Sequence, residues 1–251
     1  MNPTPSRIWR GVARLLLFLT VTFFGVILLF LNHITGRGHA KVFSVYSWWR
    51  KQAPWALGVR MDLRGELPNH ASILVPNHRS YIDVALVPSP HPVVFVAKAE
   101  VRRWPMIGFG ANLLRTIWVD RSSIESRKNT RAEVKNRIEN DLSVVIFPEG
   151  TTHSGPDILP YKMGMFKMCA DSGFPMTPIA MEYRKSDIAW VGKDLFIPHF
   201  IRIFGRPHIG VKVRFGPVMR DDDPVALHKR VTEWTASNLL EMRAEWDSEL
   251  D

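Results

Sequence analysis

Between Leu15 and Leu31 the chain reads LLLFLTVTFFGVILLFL, without a charge, with Arg7, Arg10 and Arg14 ahead of it. A helix over these residues is about 26 Å long at about 1.5 Å per residue, the short end of what spans a bilayer. A cleaved signal peptide shares the basic start and apolar middle. The run is longer than a usual signal core, however, and NHITGRGHA behind it is a poor small-residue cleavage site. Basic residues follow the run as well (Arg37, Lys41, Arg50, Lys51), so the positive-inside rule assigns no orientation. Charge on both flanks suits a segment that enters and leaves on the cytoplasmic side. Trp48, Trp49 and Trp55 then stand beside Arg50 and Lys51, the composition of an interfacial segment, or else of a first core helix of a soluble domain.

From about residue 60 the pattern changes to short β-rich runs. The spacing predicts strands over 71–76, 93–97, 114–119, 143–147, 178–183 and 209–215. A polar helix with a thin apolar edge at Val134 and Ile138 is predicted over 124–141. Behind three aspartates, Pro224 opens a terminal amphipathic helix with apolar positions at 227, 231, 234, 239, 242 and 246. Such alternation predicts an α/β domain over 59–251, with a mainly parallel or mixed central sheet flanked by helices. An N-terminal membrane-associated helical segment over 1–58 precedes it. Ligands in such folds gather beyond the carboxyl ends of the strands.

Composition narrows the partner. The 251 residues are 46% hydrophobic and 23% charged, which is globular, and 33 basic against 24 acidic residues give +9. That sign fits an anionic partner: nucleic acid, anionic lipid or a phosphorylated substrate. The basic residues are dispersed rather than gathered in an arm, so nucleic acid has only net charge behind it. The single cysteine, Cys169, cannot form an intrachain disulfide and reads as a small buried hydrophobe. Metal ligation is not expected, because His153 and Asp157 alone are too few.

Chemistry concentrates where apolar runs end. In SILVPNHRSYIDVALVP, residues 72–88, His78 and Asp83 follow a strand. Ser80 to Asp83 has the form of a capping box, which would make His78 an ordinary loop residue, as His91, His208 and His228 read. Alternatively Asp83 turns back onto the imidazole, holding one nitrogen and leaving the other to take a proton. One carboxylate has two oxygens, so both readings can hold. A second strand ends in SVVIFPEGTTHSG, residues 143–155, and a third stretch sets Lys98, Arg102, Arg103 and Arg121 among glycines. These charges are either solvated or a phosphate or carboxylate site. Pro175 and Pro178 stiffen the approach to a further strand.

In this order the four blocks resemble the glycerolipid acyltransferase family, which acylates lysophosphatidic acid and related lysolipids. The match covers about 70–183. NHRSYID is similar to its N-H-x-x-x-x-D signature, AKAEVRRWPMIGFGANLLRTIWVDR to its second block, FPEGT to its third and FPMTPIAM to its fourth. The resemblance implies His78 as general base on a lysolipid hydroxyl, with Asp83 fixing its tautomer. It implies Arg121, Glu149, Gly150 and Thr151 as acceptor-binding residues, with Lys98, Arg103 and Lys162 available for a phosphate. Acyl-CoA or acyl carrier protein would be the donor, with no cofactor. The active site would lie on the cytoplasmic face of a membrane, in bacteria the inner one. Enzymes that take a phosphate-bearing acceptor often carry arginine directly after Glu-Gly-Thr; here that residue is Thr152. EGTTHSG…LPYKMGMF, and more weakly WVGKDLFIPHF, look rather like the branch that acylates lyso-ornithine lipid. Lysophosphatidic acid is the first acceptor expected and lyso-ornithine lipid the second. A non-catalytic, membrane-anchored lipid-binding protein is the rival of another class. A lipid hydrolase lacks its G-x-S-x-G elbow.

Overall fold

The computed structural model describes residues 4–36, 38–192 and 194–248, so Arg37 of the second basic flank and Lys193 of the WVGKDLFIPHF stretch lie outside the described residues. Two helices come first, α1 (Pro5–Ile34) and α2 (His39–Ala56). Strands β1 (Val59–Arg64), β2 (Ile73–Pro76) and β3 (Val93–Lys98) follow, then α3 (Ile107–Leu113), β4 (Ile117–Val119) and α4 (Ile124–Glu139). The chain continues through β5 (Ser143–Val145), α5 (Met163–Ser172), β6 (Met176–Tyr183), α6 (Phe196–Phe204), β7 (Ile209–Phe215) and α7 (Pro224–Ser248).

The strands form one sheet in the order β1-β7-β6-β2-β5-β3-β4. All neighbours run parallel except β6 and β7. Side chains alternate across this sheet, and the period of two divides the core. Ile73, Val75 and Val144 point to one face, where Val134 of α4, Phe166 of α5 and Val231 of α7 pack. Leu74, Val145, Ile179 and Met181 point to the other, against Tyr46 of α2 and Phe200 and Phe204 of α6. A sheet covered on both faces explains why β2, β5 and β6 are buried throughout and read as unbroken apolar runs.

Several boundaries differ from the sequence pattern for local reasons. The expected strand over 114–119 begins only at Ile117, because Leu114 caps α3 and Arg115 turns the chain at φ 60°. β1 was not predicted: VRMDLR alternates charge with apolar residues and pairs with β7 as a half-exposed edge, where charged residues discourage further pairing. In the terminal helix Thr235 is fully buried in place of the neighbouring Trp234. Its hydroxyl donates to the Val231 carbonyl at 2.9 Å, which satisfies it without solvent. Cys169 lies in the core beside Phe166, and burial pushes its thiol up to about 12.

The N-terminal helices are tied to the sheet domain. Arg14 donates to the carbonyls of Phe204, Arg206 and Pro207 at 2.9, 2.6 and 2.9 Å, and Arg10 to that of Gly205 at 3.1 Å. The arginines ahead of the apolar run therefore cap the carboxyl end of α6, satisfying orphan carbonyls and opposing the helix dipole. Close approach there needs Gly11, where a Cβ would stand 2.8 Å from the Ile201 carbonyl oxygen. In α2, Tyr46 is buried and Trp49 donates to Thr22 of α1 at 3.1 Å, while Trp55 is 67% exposed. The core reading of this segment describes the side of α2 that carries Tyr46 and Trp49, while Trp48 and Trp55 are exposed. Beyond its contact with α6, α1 keeps Leu16, Leu19, Phe23 and Phe24 exposed, and it is long and apolar enough to cross a membrane by length and composition.

Replacing Gly11 by leucine should force α1 away from α6 and destabilise the fold by about 1–3 kcal/mol, the usual cost of overpacking. A thermal melt in detergent measures it; an unchanged midpoint would count against the close contact.

Candidate active site

β2 ends at Pro76, opposite Ile179 of its parallel neighbour β6, which runs on to Tyr183, while β5 on the other side ends at Val145, opposite Leu74. Asn77 prolongs the β2–β6 pairing with its side chain, donating to the Met181 carbonyl at 2.9 Å and accepting from the Met181 N–H at 2.7 Å. This anchor fixes where the chain leaves the sheet, and His78 comes next. Its backbone N–H donates to Glu149 Oε1 at 2.7 Å, and its ring lies on Phe147 with centroids 4.3 Å apart.

The chain then tightens into a turn around Asp83. Asp83 Oδ2 accepts from the N–H groups of Arg79 and Ser80 at 2.7 and 2.8 Å and meets His78 Nδ1 at 2.9 Å. An oxygen that already accepts two backbone donors is the acceptor here too, so Nδ1 carries its proton and Nε2 is the basic nitrogen. The His78 side chain is 20% exposed while Asp83 is fully buried. The capping reading survives in half. Asp83 bonds the Ser80 N–H as a capping-box acid does, but the helix is a three-residue 3₁₀ turn, Asp83–Ala85, whose cap is not Ser80. Tyr183, at the end of β6, completes the set by donating to Asp83 Oδ1 at 2.6 Å. Burial, and then the Asp83 charge, raise the Tyr183 phenol and keep it protonated.

Glu149 closes the other side. Oε1 holds His78 and Oε2 accepts the Leu159 N–H at 2.9 Å, so the carboxylate bridges the turn at His78 to the loop beyond β5. Burial raises the Glu149 carboxyl, opposed by these two N–H groups and by Arg79 and His78. Gly150 has φ 78° and carries the Arg121 guanidinium on its carbonyl; a Cβ there would stand 2.6 Å from Arg121 Nη1. Only glycine combines that backbone with that contact. Arg79, almost wholly buried, reaches the carbonyls of Gly155 and Pro156 at 2.7 and 3.1 Å and pairs with Glu182 at 3.5 Å. Arg243 of α7 binds Glu182 at 2.8 Å, so the loop over 153–157 is clasped from beneath.

The strand order sets out the remaining candidates. Lys98 ends β3 opposite Val119 of β4, two residues before Arg121, and both lie beyond β5 on the side away from β6. Tyr183, His78, Glu149, Lys98 and Arg121 therefore stand at the carboxyl ends of five neighbouring parallel strands. Thr151, Arg103 and Lys162 are exposed, and the Lys162 N–H bonds the Pro148 carbonyl at 3.2 Å. Thr152 Oγ1 donates to the Trp190 carbonyl at 2.7 Å. Trp190 in turn meets Tyr81, Trp104 and Phe196 in ring contacts of 5.7–6.0 Å. Sequence reasoning missed Tyr183, Asn77 and Arg79. A buried tyrosine at a strand end was the one available signal, and its partner was a hundred residues away.

A family model described as Acyltransferase matches residues 59–182. A lyso-ornithine lipid O-acyltransferase of Brucella abortus is 31% identical over 178 residues, covering 63% of this chain and 67% of its own. Another protein of that name, from Rhizobium meliloti, is 28% identical over 214 residues, covering 77% of this chain and 73% of its own. In fold the chain is similar to the crystal structure of the 1-acyl-sn-glycerophosphate (LPA) acyltransferase PlsC from Thermotoga maritima. There the TM-score is 0.72 at 19% identity, over 95% of this chain and 98% of that one.

Tyr183→Phe should cost about 1–3 kcal/mol in a denaturant melt, since it strips a buried carboxylate oxygen of its donor. A change within a few tenths of a kcal/mol would contradict the bond. The raised carboxyl of Glu149 makes the folded chain hold that proton more tightly than the unfolded chain. Its stabilisation is therefore complete below the ordinary value of 4.5 and is lost as pH rises through the higher folded value. The melting midpoint of wild type minus that of Glu149→Gln should fall across that rise and then level; a flat difference would contradict the shift.

Proposed function

The chain belongs to the acyltransferase family, and on that premise we propose that it transfers an acyl chain from a thioester, on coenzyme A or acyl carrier protein, to the free hydroxyl of a lysolipid at a membrane surface. The observation that carries this reading is the pairing of His78 Nδ1 with buried Asp83 while the ring keeps partial exposure. Nε2 takes the proton as the hydroxyl oxygen bonds to the thioester carbonyl carbon. The tetrahedral oxyanion then collapses, the carbon–sulfur bond breaks, and the departing thiolate takes the proton back from the imidazolium. Asp83 faces the charge that appears on the ring. The turn itself is held by Asn77, Glu149 and Tyr183, so the base is placed before substrate arrives. No residue need form an acyl-enzyme.

For the acceptor, two features support a headgroup without phosphate. Relatives from Rhizobium meliloti and Brucella abortus, aligned over 77% and 63% of the chain, carry the name lyso-ornithine lipid O-acyltransferase, against a 1-acyl-sn-glycerol-3-phosphate acyltransferase of Cocos nucifera aligned over 67%. Thr152, moreover, is engaged with the Trp190 carbonyl where an arginine would offer a fork. Lysophosphatidic acid is the second reading, supported by the row of Lys98 and Arg121 along the strand ends. Exposed apolar residues along α1 support attachment to the membrane.

Thiol release from one acyl thioester, measured with lyso-ornithine lipid and with lysophosphatidic acid, tests both parts. His78→Ala should lower turnover by about 10²–10⁴-fold, the usual contribution of a general base, in a protein whose melt is still cooperative and so still folded at the assay temperature. Near wild-type turnover would overturn the base. Turnover on lysophosphatidic acid equal to or above that on lyso-ornithine lipid would overturn the headgroup preference.

A further inference from the structure

Apolar side chains on a soluble face are scattered singly as a rule; a contiguous set has a partner. In this chain such a set lies outside α1, on the sheet domain. Leu195, the cap of α6, is 73% exposed, Ile197 in its first turn 49%, and Val191 just before it 41%. Trp104, 39% exposed, stands in ring contact with Trp190 at 6.0 Å.

These residues are continuous with α1 at both ends. On one side Phe200 of α6 meets Phe18 of α1 at 6.3 Å, and Phe196 meets Phe200 at 5.8 Å. On the other, Phe109 of α3 meets Phe30 of α1 at 6.3 Å, and Gly110 lies against Val26. Trp104 leads into α3, its carbonyl accepting the Gly108 N–H at 2.9 Å. The circuit thus runs from α1 through α6, Trp190 and Trp104 to α3 and back to α1. Tyr81, two residues before Asp83, packs into it against Phe196 at 5.2 Å and Trp190 at 6.0 Å.

We propose that this aromatic rim on the sheet domain is a second lipid-contacting surface, seated in the headgroup–acyl boundary together with α1. The inference rests on the reading that α1 attaches the chain to a membrane and extends it to Trp190, Val191, Leu195, Ile197 and Trp104. Tryptophan beside exposed aliphatics is the composition that lies where headgroups meet acyl chains. Arg202 on α6 and Arg206 just beyond it are paired with Asp194 and Asp187, while Arg102 and Arg103 beside Trp104 are exposed, basic residues suited to a headgroup layer. Docking by α1 alone would leave the domain free to swing. A second contact bordering Tyr81 fixes which way the signature turn faces and keeps a lysolipid in the lipid phase as it reaches His78.

The test places an environment-sensitive fluorophore on a cysteine at position 195, at position 19 of α1, or at position 240 of α7. Each full-length labelled protein is reconstituted in phosphatidylethanolamine–phosphatidylglycerol vesicles. Leu19 and Leu240 are exposed, and Leu240 lies on the helix that covers the other face of the sheet; Cys169 is buried. The expected result is a blue shift, with loss of emission to lipids brominated on their acyl chains, at 195 and 19 but not at 240. A quenched probe at 19 with a water-like probe at 195 overturns the rim and leaves the attachment of α1 standing. Water-like probes at both overturn the two together. Equal quenching at 240 and 195 also overturns the rim, because the contact would then not belong to one face.

Discussion

One carboxylate without solvent contact organises the catalytic end of this molecule. Asp83 accepts from two consecutive backbone N–H groups, from the His78 ring and from the Tyr183 phenol. Each bond alone is worth about a kcal/mol net, but a buried carboxylate lacking them would be costly to keep ionised. The backbone bonds force the chain from His78 to Asp83 into a single tight turn, and the turn brings the imidazole to the carboxylate. Tyr183 ties the same group to β6. The conformation of the loop and the orientation of the ring therefore have a common cause.

Around that hub the sheet supplies convergence. Parallel neighbours end on the same side, so residues far apart in sequence emerge side by side: His78 after β2, Glu149 after β5, Lys98 and Arg121 after β3 and β4. Glu149 then bridges two of these exits through backbone N–H groups, and the Arg79–Glu182–Arg243 cluster clasps the loop between them. Such clusters are electrostatically expensive, and the bonds from both Arg79 Nη groups to loop carbonyls and to Glu182 make this one a support for the loop, although the buried Arg79 Nε has no partner. The site is consequently stiff on its polar side. On its apolar side it is bounded by the ring contacts that run to α1.

Much of this was legible along the chain. Short β-rich runs alternating with helical stretches marked the strands and the mixed α/β class, and Pro224 behind three aspartates marked α7. His78 and Asp83 stood out because a strand ended where they began. What escaped was mostly non-local. β1 carries charges that make sense only at a sheet edge beside β7. Thr235 takes the fully buried position between Val231 and Leu239 while Trp234 packs half-buried beside it, because the hydroxyl finds its partner within the helix. The arginines ahead of the apolar run resembled membrane flanks, yet Arg10 and Arg14 are engaged at the end of α6, some 190 residues away.

By itself the sequence determined the local facts: where strands stop, which helix is apolar enough for lipid, and which histidine has a carboxylate five residues on. Local periodicity and turn chemistry act within a few residues, so these features need no fold to be read. Only the tertiary structure decided the partners. Tyr183 on Asp83, Glu149 on the His78 backbone and Thr152 on Trp190 are contacts between segments 38–100 residues apart. Strand order and the packing of loops beyond the strand ends choose them, and no spacing along the chain encodes either.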